Sequence, residues 1–175
     1  MIDPRDFRRA LGQFPTGVTI VTTTSPTGPI GMTINSFGSV SLSPPLIQFS
    51  INRKANSIAA WCAAKHFAVH VLCEDQMELS NRFAKPLTDK WAGIRFRPGL
   101  GGVPVLLDML CVYECSRWAD YDGGDHVIFL GKVEALTAPD LASRPPLVFH
   151  NGRYRRLAEK SEAPAAVDAL LLYGW

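Results

Sequence analysis

The sequence predicts a mainly β, antiparallel fold with small flanking helices. Runs rich in β-branched and aromatic residues recur along the chain, and most of them are joined by tight turns rather than by long helical crossovers. This arrangement is typical of an antiparallel barrel with helices packed on its outside. The 175 residues, of which 47% are hydrophobic, are enough for one domain with a substantial core.

A short helix is predicted at the start of the chain. Asp3 and Pro4 are a typical helix cap and first helical residue. Phe7, Leu11 and Phe14 recur at helical spacing and form an apolar stripe. A proline directly after this stripe ends the helix.

Strands and two further short helices are predicted next. The runs at 17–24, 46–51 and 66–73 are rich in β-branched and aromatic residues and predict strands. Asn56 and Asp75 are suitable N-terminal caps for the helices that follow the second and third of these strands.

Two long strands are predicted in the second half of the chain. Residues 85–104 are rich in glycine and proline and predict a long surface connection. The runs at 105–118 and 126–137 then predict a pair of strands joined by a glycine- and aspartate-rich turn.

The predicted domain spans residues 1–158 and is followed by a C-terminal tail at 159–175. The tail alternates alanine, charged residues and leucine. This pattern predicts a helix at 165–172 that docks on the same subunit or on a partner.

The charge and hydropathy patterns exclude several classes of protein. The 18 basic and 16 acidic residues are spread along the chain and give a net charge of +2, so no basic face is expected to bind nucleic acid. The longest apolar runs are too short to span a membrane, and the first residues lack the apolar core of a signal peptide. We therefore expect a cytoplasmic protein with no membrane partner.

Four cysteines, Cys62, Cys73, Cys111 and Cys115, lack the C-x-x-C spacing of zinc or redox sites, so no metal is expected. Cys111 and Cys115 fall in one predicted strand, where four residues of rise separate their Cα atoms by about 13 Å. A disulfide requires less than about 7 Å. We expect ordinary thiols.

The most informative segment is 31–57, two predicted strands whose ends carry hydroxyls, amides and a lysine. It contains neither a metal-binding pattern nor a nucleophile with its base. Polar groups of this kind at strand ends and a helix start suit a phosphorylated planar ligand. The ordinary alternative is that such residues merely favour turns and helix caps.

The chain resembles the flavin reductase-like family, the small reductase components that supply reduced flavin to partner monooxygenases. The resemblance covers roughly residues 7–157. It rests on six pieces in the same order: FPTGVTIVTT, GMTINSFGSVSLSPPLIQFSIN, SNRFA, DKWAG, GGDHVIFLGKV and PLVFHNGRY.

The resemblance implies a split β-barrel that forms a homodimer and binds FMN or FAD, with NADH or NADPH as electron donor and a separate oxygenase as partner. It implies flavin contacts at strand ends and helix termini. These residues are Thr33, Asn35, Ser36, Ser50, Asn52, Lys54, Asn56, Ser57, Arg82, Phe83 and Ala84.

Within this set, the resemblance places residues 33–36 at the ring edge and ribityl chain, and Ser50 and Asn52 at the pyrimidine side. Residues 54–57 are expected at the phosphate, where amide hydrogens and a cation meet. Residues 82–84 border the flavin: the arginine would reach phosphate or ribityl oxygens, and the phenylalanine would pack at the dimethylbenzene edge, unless it is simply a core residue.

His126 is implied as the catalytic residue, placed to bond the nicotinamide carboxamide or to move a proton to the reduced flavin. Tyr154 is implied beside the nicotinamide, although it could equally be a strand aromatic. His66, His70 and His150 are better interpreted as structural or surface residues.

Hydride transfer from nicotinamide C4 to flavin N5 depends on stacking and orientation more than on a protein acid or base. The glycine cluster at 99–102 lacks G-x-G-x-x-G spacing, so a separate dinucleotide-binding domain is not indicated. The nicotinamide is therefore expected on the flavin face itself. Two alternatives remain: a flavin- or haem-binding split-barrel protein without turnover, and an oxidase of a phosphorylated vitamin.

Overall fold

The computed structural model of the protein describes residues 1–86, 89–138 and 144–157. These residues form three α-helices: α1 (Pro4–Leu11), α2 (Ile58–Ala63) and α3 (Met77–Ala84). They also form twelve strands: β1 (Thr16–Gly17), β2 (Thr19–Ser25), β3 (Gly28–Ile34), β4 (Gly38–Leu42), β5 (Pro45–Asn52), β6 (His66–Val71), β7 (Phe96–Pro98), β8 (Pro104–Leu106), β9 (Cys111–Gly123), β10 (His126–Thr137), β11 (Val148–His150) and β12 (Arg153–Arg155). The predicted tail at 159–175 lies outside the described residues.

One large sheet dominates the fold. Its seven strands lie in the order β3-β2-β6-β9-β10-β5-β4, and every neighbouring pair is antiparallel. β1, β11 and β12 form a second sheet, and β7 pairs with β8. The mainly β, antiparallel fold with small flanking helices is confirmed.

The central strands of the large sheet are buried on both faces. Ile20 and Ala68 enter one core cluster, whereas their chain neighbours Val21 and Val69 enter another. Successive side chains of a strand point to opposite faces, so β2 and β6 are covered on both sides. The sheet therefore carries two cores, one of which lies beneath α3 and the β7–β8 pair.

A side chain links the two halves of the sheet near its edge strands, β3 and β4. Ser36 lies two residues after β3, and its hydroxyl donates to the Ser50 carbonyl (3.1 Å) and accepts from the Ser50 amide (3.0 Å). Ser50 lies beyond the residues of β5 that pair with β4. The hydroxyl thus takes the place of a backbone partner and fixes the end of β3 against β5.

The predicted first helix is confirmed. The Asp3 carboxylate accepts from the Arg5 amide at 2.7 Å and caps α1. The apolar stripe of Phe7, Leu11 and Phe14 is exposed on this chain rather than packed on its own core.

The structure contradicts both predicted caps of the later helices, because neither Asn56 nor Asp75 is the N-cap residue. α2 begins after Ser57 rather than Asn56, and the Ser57 hydroxyl accepts from the Trp61 indole (3.2 Å) instead of capping an amide. α3 follows a short 3-10 helix at Glu74–Gln76. Asp75 lies inside that 3-10 helix, where Arg144 binds its carboxylate at 2.7 Å. This distant partner outweighs the local preference for a cap.

The region 85–118 also differs from its prediction. The 85–104 connection contains β7 and contributes Trp91 and Ile94 to a core cluster, so it is not only a surface loop. The predicted strand at 105–118 is divided into β8 and β9, because the chain turns at Asp108, whose φ is 63°. The strand predicted at 126–137 is confirmed as β10.

The four cysteines are free thiols in the structure. Within the described residues, no helix is both long and apolar enough to cross a bilayer.

Candidate flavin site

Two adjoining cavities lie beside the end of β3. The first, about 660 Å³, is bordered by β3, the segment that leads into α2, the end of α3, and the residues Pro86, Lys90 and Trp91. The second, about 480 Å³, is bordered by the residues after β3, the end of β5 and the start of β10. Met32 and Thr33 border both cavities and form the wall between them. Volumes of this size are typical of small-molecule sites.

The structure brings most of the predicted site residues to these cavities. The first cavity is lined by six of them: Thr33, Lys54, Asn56, Ser57, Phe83 and Ala84. The second is lined by six, one of them shared: Thr33, Asn35, Ser36, Ser50, Asn52 and His126. Arg82 and Tyr154 line neither cavity. Whether the lining residues bind a ligand stays a prediction.

Two hydroxyls that line the cavities, those of Thr33 and Ser36, are already engaged. Thr33 donates its hydroxyl proton to the Ser80 carbonyl at 2.7 Å. Ser36 donates to the Ser50 carbonyl, as described above. A hydroxyl has one proton, so these two side chains can offer only lone pairs to a ligand. They suit a ligand that donates there and position the strand ends at the same time.

The segment before α2 is shaped by Asn52, whose side-chain oxygen accepts from the Lys54 amide at 2.8 Å. The Ala55 amide bonds the Asn52 carbonyl at 2.9 Å, which completes a tight turn. This turn presents Lys54 and Asn56 as exposed side chains at the rim of the first cavity. Among the described residues, no carboxylate lies within 4 Å of the lysine.

The floor of the first cavity depends on a glycine. A Cβ on Gly31 would lie 2.7 Å from Phe83 Cδ1 and 3.1 Å from Trp91 Cζ2. The two rings meet edge to face at 5.1 Å between centroids. Phe83 borders the cavity but is fully buried, so it also belongs to the core beneath the cavity.

Two lining residues that the sequence reasoning missed are Lys90 and Trp91. Both lie in the DKWAG piece of the resemblance, although no role was predicted for either. A lysine and a tryptophan in a glycine- and proline-rich connection were the available signal. Their approach to β3 and α3 depends on tertiary packing, which the spacing of the sequence does not reveal.

His126 lies at the second cavity and is paired with its neighbour. Its Nδ1 lies 2.7 Å from Asp125 Oδ1. The hydrogen bond from His126 holds the pKa of the Asp125 carboxyl below its usual value. A carboxylate only accepts, so Nδ1 carries the proton and Nε2 remains available. The pair can therefore hold or move a proton at Nε2.

Arg82 and Tyr154 make contacts with protein groups outside the cavities. The Arg82 guanidinium donates to the Ala92 carbonyl. The Tyr154 hydroxyl lies 2.8 Å from the Ser80 hydroxyl and donates to Asn81 Oδ1 at 3.1 Å. Both side chains therefore brace α3 from outside the cavities.

Within residues 1–86, 89–138 and 144–157, no group of three or more histidine, cysteine, aspartate or glutamate side chains could hold a metal ion. The cavities offer lysines, amides and apolar walls instead. Together with the antiparallel sheet, they define a β-fold protein whose cavities suit an anionic organic ligand.

Residues 11–158 match the family described as the flavin reductase like domain, and the chain belongs to that family. The resemblance seen in the sequence is thereby confirmed.

Three relatives illustrate the match. The chain is 39% identical to the reductase subunit of a flavin-dependent monooxygenase from Mycobacterium tuberculosis, over 94% of this chain and 88% of the relative. It is 44% identical to an FMN reductase (NADH) from Agrobacterium fabrum, over 89% and 87%. A solved NADH:FAD oxidoreductase from Streptomyces globisporus, in complex with NAD and FAD fragments, matches with a TM-score of 0.84 at 38% identity, over 93% and 99%. The expected split β-barrel agrees with this structural likeness.

Proposed function

We propose that the protein is a flavin reductase that transfers hydride from NADH or NADPH to FMN or FAD and supplies the reduced flavin to a separate monooxygenase. The observation that carries the proposal is the pair of adjoining cavities. They share Met32 and Thr33, one has a cationic rim, and the other contains a histidine with a free ring nitrogen. A phosphorylated ring system and a second planar ring both find partners there.

The family and its named reductases support the enzyme class and the use of NADH with a flavin. The relatives include an FMN reductase and an NADH:FAD oxidoreductase, so both flavins are substrates to test. A monooxygenase partner follows the name of the Mycobacterium tuberculosis relative.

The residues present fit a flavin. Lys54 and the polar groups of residues 55–57 would hold its phosphate, because a cation and amide hydrogens stabilise a dianion. Residues 32–36 would border the ring, with the Thr33 and Ser36 oxygens as acceptors for ring or ribityl donors. A bound flavin supplies the hydride acceptor; the protein supplies alignment and a partly apolar environment.

His126 would act at the second cavity. Asp125 fixes its proton on Nδ1, so Nε2 can accept a hydrogen bond from the nicotinamide carboxamide or, when protonated, pass a proton to the reduced flavin. No role beside the nicotinamide is proposed for Tyr154, because its hydroxyl is held by α3.

A homodimer is proposed on the basis of exposed apolar surface. The α1 stripe is exposed, as are Trp118, Tyr121 and Leu136 on the long β9–β10 pair. Large apolar side chains exposed on one chain are candidates for burial in an interface between two chains. Sedimentation of the purified protein tests this: a species of twice the chain mass supports the dimer, and a monomer at all concentrations contradicts it.

Anaerobic mixing of the protein with a flavin and a nicotinamide donor tests the activity. We expect the absorbance of oxidised flavin to disappear with at least one pairing of FMN or FAD with NADH or NADPH. Retained absorbance with all four pairings would contradict the reductase proposal. Tight flavin or haem binding without oxidation of NADH or NADPH would instead select the binding protein without turnover.

A further inference from the structure

The turn at residues 89–92 is held rigidly beside the first cavity. The Asp89 carboxylate accepts from the amides of Trp91 (3.1 Å) and Ala92 (2.9 Å). Arg82 on α3 donates to the Ala92 carbonyl. A side-chain oxygen that bonds amides two and three residues later fixes a turn locally, and the arginine ties that turn to the helix.

Aromatic packing fixes the same turn from its other side. The Trp91 ring meets Phe83 at 5.1 Å and Phe96 at 5.2 Å between centroids, both edge to face. Such contacts stabilise a single orientation of the indole. The residue between the aspartate and the tryptophan, Lys90, is therefore carried by a preorganised support rather than by a free loop.

Lys90 is a cation without a counter-ion in the described part of the chain. Its Nζ donates to the Phe83 carbonyl (2.9 Å) and the Gly31 carbonyl (3.5 Å), and no described carboxylate lies within 4 Å. The side chain is half-buried, and burial lowers the pKa of this lysine. An ammonium group has three donors, so one remains.

Lys90 lies where its remaining donor can reach a ligand in the first cavity. The side chain lines the first cavity together with Lys54. The Phe83 carbonyl belongs to the last turn of α3, where unpaired carbonyls carry partial negative charge that would repel an anion. Lys90 offsets this charge and leaves the cavity wall positive.

We propose that Lys90 is a phosphate-binding residue which, with Lys54, makes this site select a phosphorylated flavin over riboflavin. The inference rests on the proposed function and assigns to Lys90 the second cation that the sequence reasoning assigned to Arg82. The arginine instead positions the turn that carries the lysine.

Equilibrium binding of FMN and riboflavin, followed by quenching of flavin fluorescence, tests the inference on the purified protein. Lys90→Met is expected to weaken FMN binding about tenfold or more and to change riboflavin binding less than about twofold, because it removes one charge-assisted contact to phosphate. Lys85→Met is the matched control, since Lys85 is exposed beyond α3 and lines neither cavity. Unchanged FMN affinity, or equal losses for both ligands, would overturn the proposal.

A second measurement avoids any folding defect of the variant. Acylation of lysines in the wild-type protein, read by mass spectrometry, is expected to be blocked at Lys90 by FMN but not by riboflavin, with Lys85 modified equally in both samples. Equal modification of Lys90 with and without FMN would contradict the inference. The proposed function is read separately: it fails if the wild-type protein binds and oxidises no nicotinamide donor with any flavin, whatever the lysine variants do.

Discussion

Two clusters of ionisable residues in this protein differ in how their polar groups are paired. The paired cluster consists of His70, Arg97 and Glu114, between the large sheet and the β7–β8 pair. The open cluster consists of Lys54 and Lys90, at the first cavity. In the paired cluster every charge faces a partner, whereas no described carboxylate lies within 4 Å of either lysine of the open cluster.

The side chains of the paired cluster already have hydrogen-bond partners within the protein. His70 is completely buried; its Nδ1 donates to the Ile20 carbonyl (2.9 Å), and its Nε2 accepts from the Leu106 amide (3.1 Å). Glu114 accepts from the Arg97 guanidinium and the Leu100 amide, both at 2.7 Å. Burial alone would raise the pKa of the Glu114 carboxyl, but these hydrogen bonds outweigh it and hold the pKa below its usual value.

The difference separates structural polar groups from binding groups. A buried network with all donors and acceptors satisfied stabilises a fold and leaves nothing for a ligand. Cations beside a cavity that form no close ion pair can stabilise an anionic ligand there. His70 is thus structural, in line with its interpretation from the sequence, while the two lysines line the first cavity, where we propose that they bind the ligand.

The largest expected effect is on stability, in the paired cluster. His70→Ala leaves the Ile20 carbonyl and the Leu106 amide without partners and opens a void, at a cost of about 4 kcal/mol. Urea unfolding of the variant should show this loss, while the folded variant keeps its FMN affinity. A His150→Ala control, at a half-exposed position, should unfold near the wild-type midpoint. An unchanged midpoint for the His70 variant would contradict the structural role.

The pH dependence of stability is a second test of the paired cluster. Burial lowers the pKa of His70 from 6.5 to about 4. The His70 imidazole therefore takes up a proton below about pH 6.5 in the unfolded chain, but only below about pH 4 in the folded protein. The free energy of unfolding should fall by about 3 kcal/mol across this window as pH decreases. Urea titrations at several pH values measure this slope, and it should shrink in His70→Ala; an equal slope in both proteins would contradict the assignment.

A smaller effect on stability is expected for Gly31, at the floor of the first cavity. Gly31→Ala places a methyl group against the Phe83 and Trp91 rings, which must shift. Overpacking of this kind costs about 2 kcal/mol, and displacement of Trp91 moves the turn that carries Lys90. Both the thermal midpoint and FMN affinity should fall, unlike in His70→Ala. Loss of stability with full FMN affinity would show that the packing of Gly31 against the two rings does not position the site.

The smallest stability effect is expected where Ser36 joins β3 to β5. Ser36→Ala frees the amide and carbonyl of Ser50, which solvent can reach, so the cost should be below about 1 kcal/mol. Flavin affinity should nevertheless fall several-fold, because the cavity edge is no longer fixed. Ser39→Ala on the neighbouring edge strand is the control. Equal flavin affinity in both variants, measured by fluorescence titration, would remove the positioning role of Ser36.

Local patterns in the sequence predicted the elements that local chemistry determines. Asp3 caps α1 as expected, and β10 has the expected bounds, because period and capping act within a few residues. The predicted cap at Asp75 was wrong since a tertiary contact prevailed: Arg144, far along the chain, binds the aspartate. The cap predicted at Asn56 was wrong by one residue, because α2 begins after Ser57.

The candidate site also shows that local sequence patterns do not reveal tertiary contacts. Residues 33–36 were predicted at the cavities, because polar strand ends and the family motif both indicate them. No role was predicted for Lys90, which lines the first cavity, whereas Arg82, which was expected to reach phosphate or ribityl oxygens, lines neither cavity. Their places are set by a turn whose direction depends on Trp91 packing against Phe83, and spacing alone does not contain that information.

A crystal structure of the protein with FMN tests the central claim most directly. We predict the phosphate in the first cavity, within hydrogen-bond distance of Lys54 and Lys90, and the ring beside residues 32–36 with one face open towards His126. FMN bound outside both cavities, or a ring position filled by protein, would contradict the account.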